Sequence, residues 1–220
     1  MKISPATQRW LVPLCGAAIA LSLFGTIRSC RRRPATYDRE RVQDDASFAA
    51  AAVGRHLGEG TRALIVAPRY DAIPSYREQV QPFAAGLRRH RVRVVVVESV
   101  ETDESGSRYP LWGRGVSGRD VLDRAAARDG IDAVVVLLHV PVFPPELIRE
   151  TAGRRPRIVV ALADGFQTGI RELVQDGVVS LAVVSGLPVE PGAPEPATPQ
   201  EGFDRRYRSV TAENVARIRM

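Results

Sequence analysis

The chain has 220 residues, of which 45% are hydrophobic and only 6% aromatic, and its formal net charge is +6 at pH 7. This length accommodates one domain of ordinary size with short extensions, and the core must be aliphatic. The positive charge comes from arginine, since Lys2 is the only lysine, and the arginines are scattered without interleaved aromatic residues. That pattern favours solvated surfaces encoded by a GC-rich genome, so no nucleic-acid partner is expected.

The N-terminal part predicts a membrane anchor. Trp10 to Ile27 contains no charged residue and is close to the length that spans a bilayer. No small-x-small cleavage site follows it, so a retained single-pass anchor over 1–33 is favoured over a cleaved signal peptide. The basic residues that follow favour a cytoplasmic location for the rest of the chain: Arg28, Arg31, Arg32 and Arg33. The membrane side is left open, and residues 34–46 are expected to form a linker.

From Ser47 to the C-terminus, helix and strand patterns alternate within one predicted domain, 47–220. Ser47 is expected to cap a helix that runs to Leu57, and the later helices follow the first, second, third and fourth strands. Pro188 to Pro199 is expected to be an extended crossing, and Thr211 to Arg219 a last helix. The five apolar runs predicted as strands are 63–67, 92–97, 133–138, 158–162 and 179–184.

Apolar runs of this kind are typical of strands buried on both faces of a parallel sheet. Their alternation with helices predicts an α/β fold in which a doubly wound parallel sheet lies between two helical layers. Right-handed crossovers with one reversal of winding give the strand order 2-1-3-4-5, as in flavodoxin-like folds.

Motifs for catalysis and for metal or cofactor binding do not occur in the sequence. There is no P-loop, no G-x-S-x-G nucleophile elbow, and no metal-ligand spacing, since Cys15 and Cys30 lie in or beside the apolar segment. Gly113 to Gly118 fits G-x-G-x-x-G, but it lies far from the second strand and is interpreted as a flexible loop. The chain is therefore predicted to be non-enzymatic, with no catalytic residue, metal or cofactor.

Four local sequences occur in order along the predicted elements. Arg77 precedes Phe83 by six residues in YREQVQPFAAGL, and Asp164 ends a strand in ALADG. QDGVVSLAVVSGLP places Asp-Gly before a strand and a proline, and residues 210–215 read VTAENV. Together they resemble the C-terminal lobe of the type 1 periplasmic-binding-protein superfamily, the sugar-binding receptors and their repressor relatives, over about 47–219.

The resemblance implies that Arg77 and Asp164 hydrogen-bond the hydroxyl groups of a sugar-like ligand. Independently, the carboxyl ends of parallel strands are where such sheets bind ligands, which places Arg69, Asp71, His139 and Asp164 on one rim. The alternative to ligand binding by His139 is a structural hydrogen bond. Asp164 could equally cap the following helix. Because the second lobe of the family is absent, the rim is expected to be an open, weakly binding shelf. A partner chain or a second copy would supply the missing wall.

Two functions remain open. The first is a membrane-anchored, solute-binding-like domain that is weak or degenerate, with periplasmic location implied by the resemblance. The alternative is a ligand-free structural or regulatory interaction protein held at the membrane.

Overall fold

Strands and helices alternate along the part of the chain that the computed structural model describes, residues 38–69, 74–100, 116–163, 169–186 and 194–217. The predicted anchor, Trp10 to Ile27, lies outside these residues. Among the described residues, no helix combines the length and apolar character needed to cross a bilayer. The described residues from Arg39 onward belong to one compact unit.

The elements, in chain order, are α1 Arg39–Leu57, β1 Arg62–Pro68, α2 Pro74–Arg89, β2 Arg93–Val100, β3 Val116–Ser117, α3 Gly118–Ala126, β4 Ala133–Leu137, β5 Pro141–Val142, α4 Pro145–Thr151, β6 Arg157–Ala163, α5 Ile170–Gln175, β7 Val179–Ser185, α6 Pro199–Arg206 and β8 Tyr207–Val210. Pro144 and Pro145 begin α4, and Gly177 with φ 73° follows the end of α5.

The main sheet has the strand order β2-β1-β4-β6-β7-β8. Five of its strands are mutually parallel: β2, β1, β4, β6 and β7. The five predicted strands and their 2-1-3-4-5 order are therefore confirmed. β8 was not predicted, and it adds to β7 in the antiparallel direction. β3 and β5 form a separate two-stranded parallel sheet at the end of β4.

Helices cover both faces of the main sheet. Successive residues of β1 alternate between two buried clusters: Ala63, Ile65 and Ala67 belong to one, and Leu64 and Val66 to the other. The first cluster is completed by α1, α2 and α6, and the second by α3, α4 and α5. Four parallel strands, β1, β4, β6 and β7, are buried on both sides, which is why they are almost wholly aliphatic. The edge strand β2 is only partly buried. The predicted three-layer arrangement is confirmed.

The first helix begins at Arg39, eight residues before the predicted cap at Ser47. The expected linker over 34–46 is therefore helical from Arg39 onward. The polar character of this stretch was misleading because Asp45 is buried and its carboxylate accepts a hydrogen bond from the Arg206 guanidinium. A buried charge of this kind needs a partner that only the tertiary structure supplies.

The C-terminal region also differs from its prediction. The expected extended crossing over 188–199 lies partly outside the described residues, and its described part, 194–198, is not helical. Only its last residue, Pro199, belongs to α6, which Thr198 caps by accepting from the Glu201 N–H at 3.1 Å. Residues 211–217 form turns rather than a helix. The Thr211 N–H donates to Asn214 Oδ1 at 2.8 Å, and Asn214 Nδ2 donates to the Ser209 carbonyl at 2.9 Å, so the Asn214 side chain ties these turns to the end of β8.

Candidate functional site

The site region is the edge of the main sheet where the parallel strands end. Winding reverses between β1 and β4, because β1 pairs with β2 on one side and with β4 on the other. Ligands of open α/β sheets bind outside the carboxyl ends of the strands at such a point. Arg69 directly follows β1 and is exposed, and His139 lies two residues after β4. Both residues therefore flank the switch point, as the sequence predicted.

His139 is half-buried and its ring is held by its own backbone. Its Nδ1 lies 2.5 Å from the Leu138 carbonyl oxygen, so Nδ1–H donates to that carbonyl. In the neutral ring this leaves Nε2 as a hydrogen-bond acceptor. Nε2 has no hydrogen-bond partner among the residues that the structure describes. The ring can therefore accept a hydrogen bond from a hydroxyl group above the sheet edge.

The start of α2 lies against His139. The rings of Tyr76 and His139 meet edge to face, with centroids 6.2 Å apart and an interplanar angle of 89°. Tyr76 was not predicted as a site residue, although an aromatic residue directly before Arg77 was a usable signal. Arg77 is exposed, and within the described ranges it makes no ion pair. The Arg77 guanidinium is thus a hydrogen-bond donor on the residue next to Tyr76, whose ring contacts His139.

Two buried leucines at this edge have left-handed backbone conformations. Leu138 has φ 71° and Leu162 has φ 56°, values that are uncommon for residues other than glycine. The β6–β7 register shifts between Ala161 and Ala163, so Leu162 is the extra residue of a β-bulge, and the Leu138 N–H donates to the Ala161 carbonyl at 2.8 Å. Bulges bend strands next to binding sites. Here the bulge of β6 lies next to the end of β4, to which it is hydrogen-bonded.

Two of the five predicted site residues, Asp71 and Asp164, lie outside the described residues. The N-cap residue of α5 is Gly169, and both roles expected for Asp164, ligand binding and helix capping, stay predictions. Arg69, Arg77 and His139 are described, and the structure places all three around the switch point.

The G-x-G-x-x-G segment is not a flexible loop where it is described. Val116 and Ser117 form β3, and Gly118 begins α3. Ser117 Oγ accepts from the Asp120 N–H at 3.4 Å. A Cβ atom at Gly118 would lie 2.7 Å from Phe143 Cδ1, so packing against Phe143 explains this glycine. Within the described part of the chain, no three His, Cys, Asp or Glu side chains are grouped to hold a metal.

Comparisons with known proteins give structural matches only. No protein-family model matches the chain, and no curated protein matches its sequence. The structure is similar to an ABC transporter solute-binding protein from Bradyrhizobium sp. BTAi1 solved with bound bis-tris, with a TM-score of 0.51 and 12% identity, covering 81% of this chain and 53% of that one. A sugar-binding protein of a sugar ABC transporter from Bacillus halodurans matches with a TM-score of 0.49 and 17% identity, over 80% of this chain and 63% of that one.

A further match is the substrate-binding protein of a sugar ABC transport system from Bordetella parapertussis 12822. Its TM-score is 0.48 and its identity 12%, over 78% of this chain and 57% of that one. The chain thus spans between about half and two thirds of the length of these structures. Over about 80% of its length the chain has the type 1 periplasmic-binding-protein fold, as its sequence motifs indicated.

Proposed function

We propose that this chain is a non-enzymatic, solute-binding-like domain whose ligand shelf is the carboxyl edge of the sheet at the β1–β4 switch point. The main supporting observation is the position of His139, which is fixed by its bond to Leu138 and by its contact with Tyr76. A ring with one nitrogen held and the other available as an acceptor suits recognition of a hydroxyl group.

The residues favour a small ligand rich in hydroxyl groups, such as a sugar. His139 Nε2 accepts a hydrogen bond and the Arg77 guanidinium donates, while Asp71 and Asp164 would add carboxylate acceptors after β1 and β6. The Bradyrhizobium protein was solved with bis-tris, a molecule with several hydroxyl groups. The Bacillus and Bordetella proteins are described as sugar-binding and as part of a sugar transport system.

Binding by one chain should be weak. The chain spans 53% of the Bradyrhizobium protein, and its described residues from Arg39 onward form a single lobe whose shelf lies open at the edge of one sheet. Hydrogen bonds on an open shelf compete with water and contribute about 0.5–1.5 kcal/mol each for neutral pairs. A Kd near 1 mM, about −4 kcal/mol, follows for a free sugar. A second copy or a partner protein would supply the missing wall and raise the affinity.

The domain is proposed to be held at a membrane by the uncleaved apolar segment Trp10 to Ile27. The support is sequence alone: its length, and the arginines that follow it. N-terminal sequencing of the mature membrane-bound protein tests this proposal. A start beyond Ser29 would show that the segment is removed.

The binding proposal is tested by thermal-shift titration of the full-length protein against a panel of sugars and polyols, followed by calorimetry. We expect a shift only at millimolar ligand, lost in Arg77→Gln and reduced in Asp164→Ala. Arg88→Gln, an exposed arginine at the other end of the same helix, is the matched control and should keep the shift. Micromolar binding by a monomer would contradict the single-lobe argument. No shift with any ligand would favour the ligand-free structural or regulatory protein instead.

A further inference from the structure

The edge opposite the shelf, where the parallel strands begin, is rich in arginine. Arg62 begins β1, Arg93 begins β2 and Arg157 begins β6, and the Cα atoms of Arg62 and Arg93 are register partners. Neighbouring strands are about 4.8 Å apart, so these positions form a short row across the sheet. The helices α1 and α2 end at the same edge with basic last turns. Cations are favourable there because of the helix dipole.

Three arginines at this edge of the sheet have partners within the fold. Arg157 donates to the Leu57 carbonyl at 3.0 Å, Arg91 pairs with Glu59 at 2.8 Å, and Arg155 pairs with Asp132 at 3.3 Å. Five others are exposed and have no ion-pair partner among the described residues. We call these five the basic edge: Arg55, Arg88, Arg89, Arg93 and Arg154.

The acids near the basic edge neutralise it only in part. Glu59 and Asp132 are already bonded to Arg91 and Arg155. The other exposed acids in the described turns at this edge are fewer than the five arginines: Asp129, Asp176 and Glu213. The basic edge is therefore a surface with surplus guanidinium groups that project into solvent. Guanidinium groups bind phosphate oxygens through two parallel N–H donors.

We propose that the basic edge binds the phosphate backbone of double-stranded nucleic acid without reading its sequence. Contacts of this kind need cations and no base recognition. Single-stranded nucleic acid fits less well, because proteins that bind it stack the bases on aromatic side chains. No Phe, Tyr or Trp occurs among the described residues in the turns at this edge: 55–61, 88–92, 127–132, 152–156, 176–178 and 211–217.

The basic edge lies far from the start of α1. Arg39 at the start of α1 pairs with Glu78 of α2 at 3.2 Å, on the side of the sheet where β1 ends. The 19 residues of α1 separate that point from the basic edge by about 28 Å. Competition by anionic vesicles in the binding test separates a bilayer from a duplex.

The fold changes the interpretation that the sequence favoured. The five arginines are spread between positions 55 and 154, and in the sequence they appear scattered. The parallel sheet places all of them at one edge, because each lies near a helix end or a strand start. The proposal does not depend on the shelf at the opposite edge.

The test is fluorescence anisotropy of a labelled, mixed-sequence DNA duplex with the full-length protein in detergent, at about 50 mM and about 200 mM salt. The edge variant is Arg88→Gln/Arg89→Gln/Arg93→Gln. The control variant, Arg119→Gln/Arg149→Gln/Arg171→Gln, removes the same charge from exposed arginines of α3, α4 and α5. Thermal unfolding of both variants shows that they remain folded.

We expect the edge variant to bind at least about 10-fold more weakly at the lower salt, and the control to change less than about 3-fold. The slope of log affinity against log salt should fall by about 2–3 in the edge variant, close to 0.9 for each lost phosphate contact. Equal loss in the control, wild-type affinity of the edge variant, or no binding by the wild type would overturn the proposal. Equal competition by polyglutamate or by anionic vesicles would also overturn it, because the site would then not select duplex phosphates.

Discussion

At the residue scale, His56 shows how a polar side chain is used at the end of a helix. Its Nε2 lies 3.0 Å from Ser180 Oγ, which in turn donates to the Ile158 carbonyl at 3.2 Å. Burial lowers the pKa of His56 below its usual value of 6.5, and the positive charge of Arg157 lowers it further, while Glu213 opposes both. The folded state therefore favours the neutral ring, which joins the end of α1 to β7.

The lowered pKa makes stability depend on pH. A histidine with a depressed folded pKa contributes stability above its unfolded pKa, and this contribution is lost as the pH falls below about 6.5. We expect the unfolding midpoint to drop between about pH 7.5 and pH 5.5, by roughly 2–4 °C for each kcal/mol lost. In His56→Gln the drop should be smaller.

Thermal unfolding by circular dichroism across this pH range measures the effect. His90→Gln, which changes the other half-buried histidine near the same edge, is the control and should keep the wild-type dependence. If His56→Gln and the wild type lose stability in parallel, another group is responsible for the pH dependence.

At the element scale, α1 and α2 pack closely because small residues line their contact. A Cβ atom at Gly86 would lie 2.6 Å from Ala50 Cβ, and one at Gly54 would lie 2.6 Å from His90 Cβ. Real Cβ contacts do not approach this closely, so the two helices can adopt this distance only with glycine at both positions. The run of alanines in α1 is thus a consequence of helix packing as well as of helix propensity.

We predict that Gly86→Ala destabilises the protein by about 1–3 kcal/mol, because it forces the helices apart. At an exposed position in a helix the same change would stabilise by about 0.5–1 kcal/mol. A loss of stability therefore indicates the close contact between α1 and α2, and a gain indicates helix propensity alone. Urea unfolding measures the change in the free energy of unfolding.

The double variant Ala50→Gly/Gly86→Ala removes the atom that the new methyl group meets. Relative to Ala50→Gly alone, Gly86→Ala should then cost much less. Equal costs in both backgrounds would show that the contact between α1 and α2 is not the cause.

At the scale of the whole molecule, one ion pair joins two distant parts of the chain. Asp45 of α1 accepts from Arg206 at the end of α6, and the two residues are separated by 161 positions. The side chains are 9% and 23% exposed. Burial raises the pKa of Asp45, although Arg206 acts in the opposite direction. The pair therefore depends on the close arrangement of α1, α6 and β7.

We predict that Arg206→Gln destabilises the protein by up to about 3–5 kcal/mol at neutral pH, because a buried carboxylate loses its counter-ion. Asp45→Leu/Arg206→Met should cost less than Arg206→Gln, since both charges are removed together. Chemical unfolding of the three proteins tests this, with the loss in Arg206→Gln shrinking at acidic pH as Asp45 takes up a proton. A double variant as unstable as Arg206→Gln would contradict this account of the pair.

The sequence by itself determined the five parallel strands, their order and the two helical layers. It could do so because four of the strands are apolar runs of 5 to 7 residues buried on both faces, and burial requires that composition locally. The edge strand β2 is only partly buried, but its run of valines has the same strand-forming character. The same reasoning placed Arg69 and His139 at the ends of neighbouring strands. The roles of Asp71 and Asp164 remain predictions.

Tertiary structure decided the features that depend on partners far along the chain. The early start of α1 depends on the burial of Asp45 against Arg206, and β8 is a strand because β7 offers a free edge to Tyr207–Val210. The contact of Tyr76 with His139 and the collection of scattered arginines at one edge arise in the same way. Composition and periodicity specify which segments are buried, but pairing and packing determine which distant residues become neighbours.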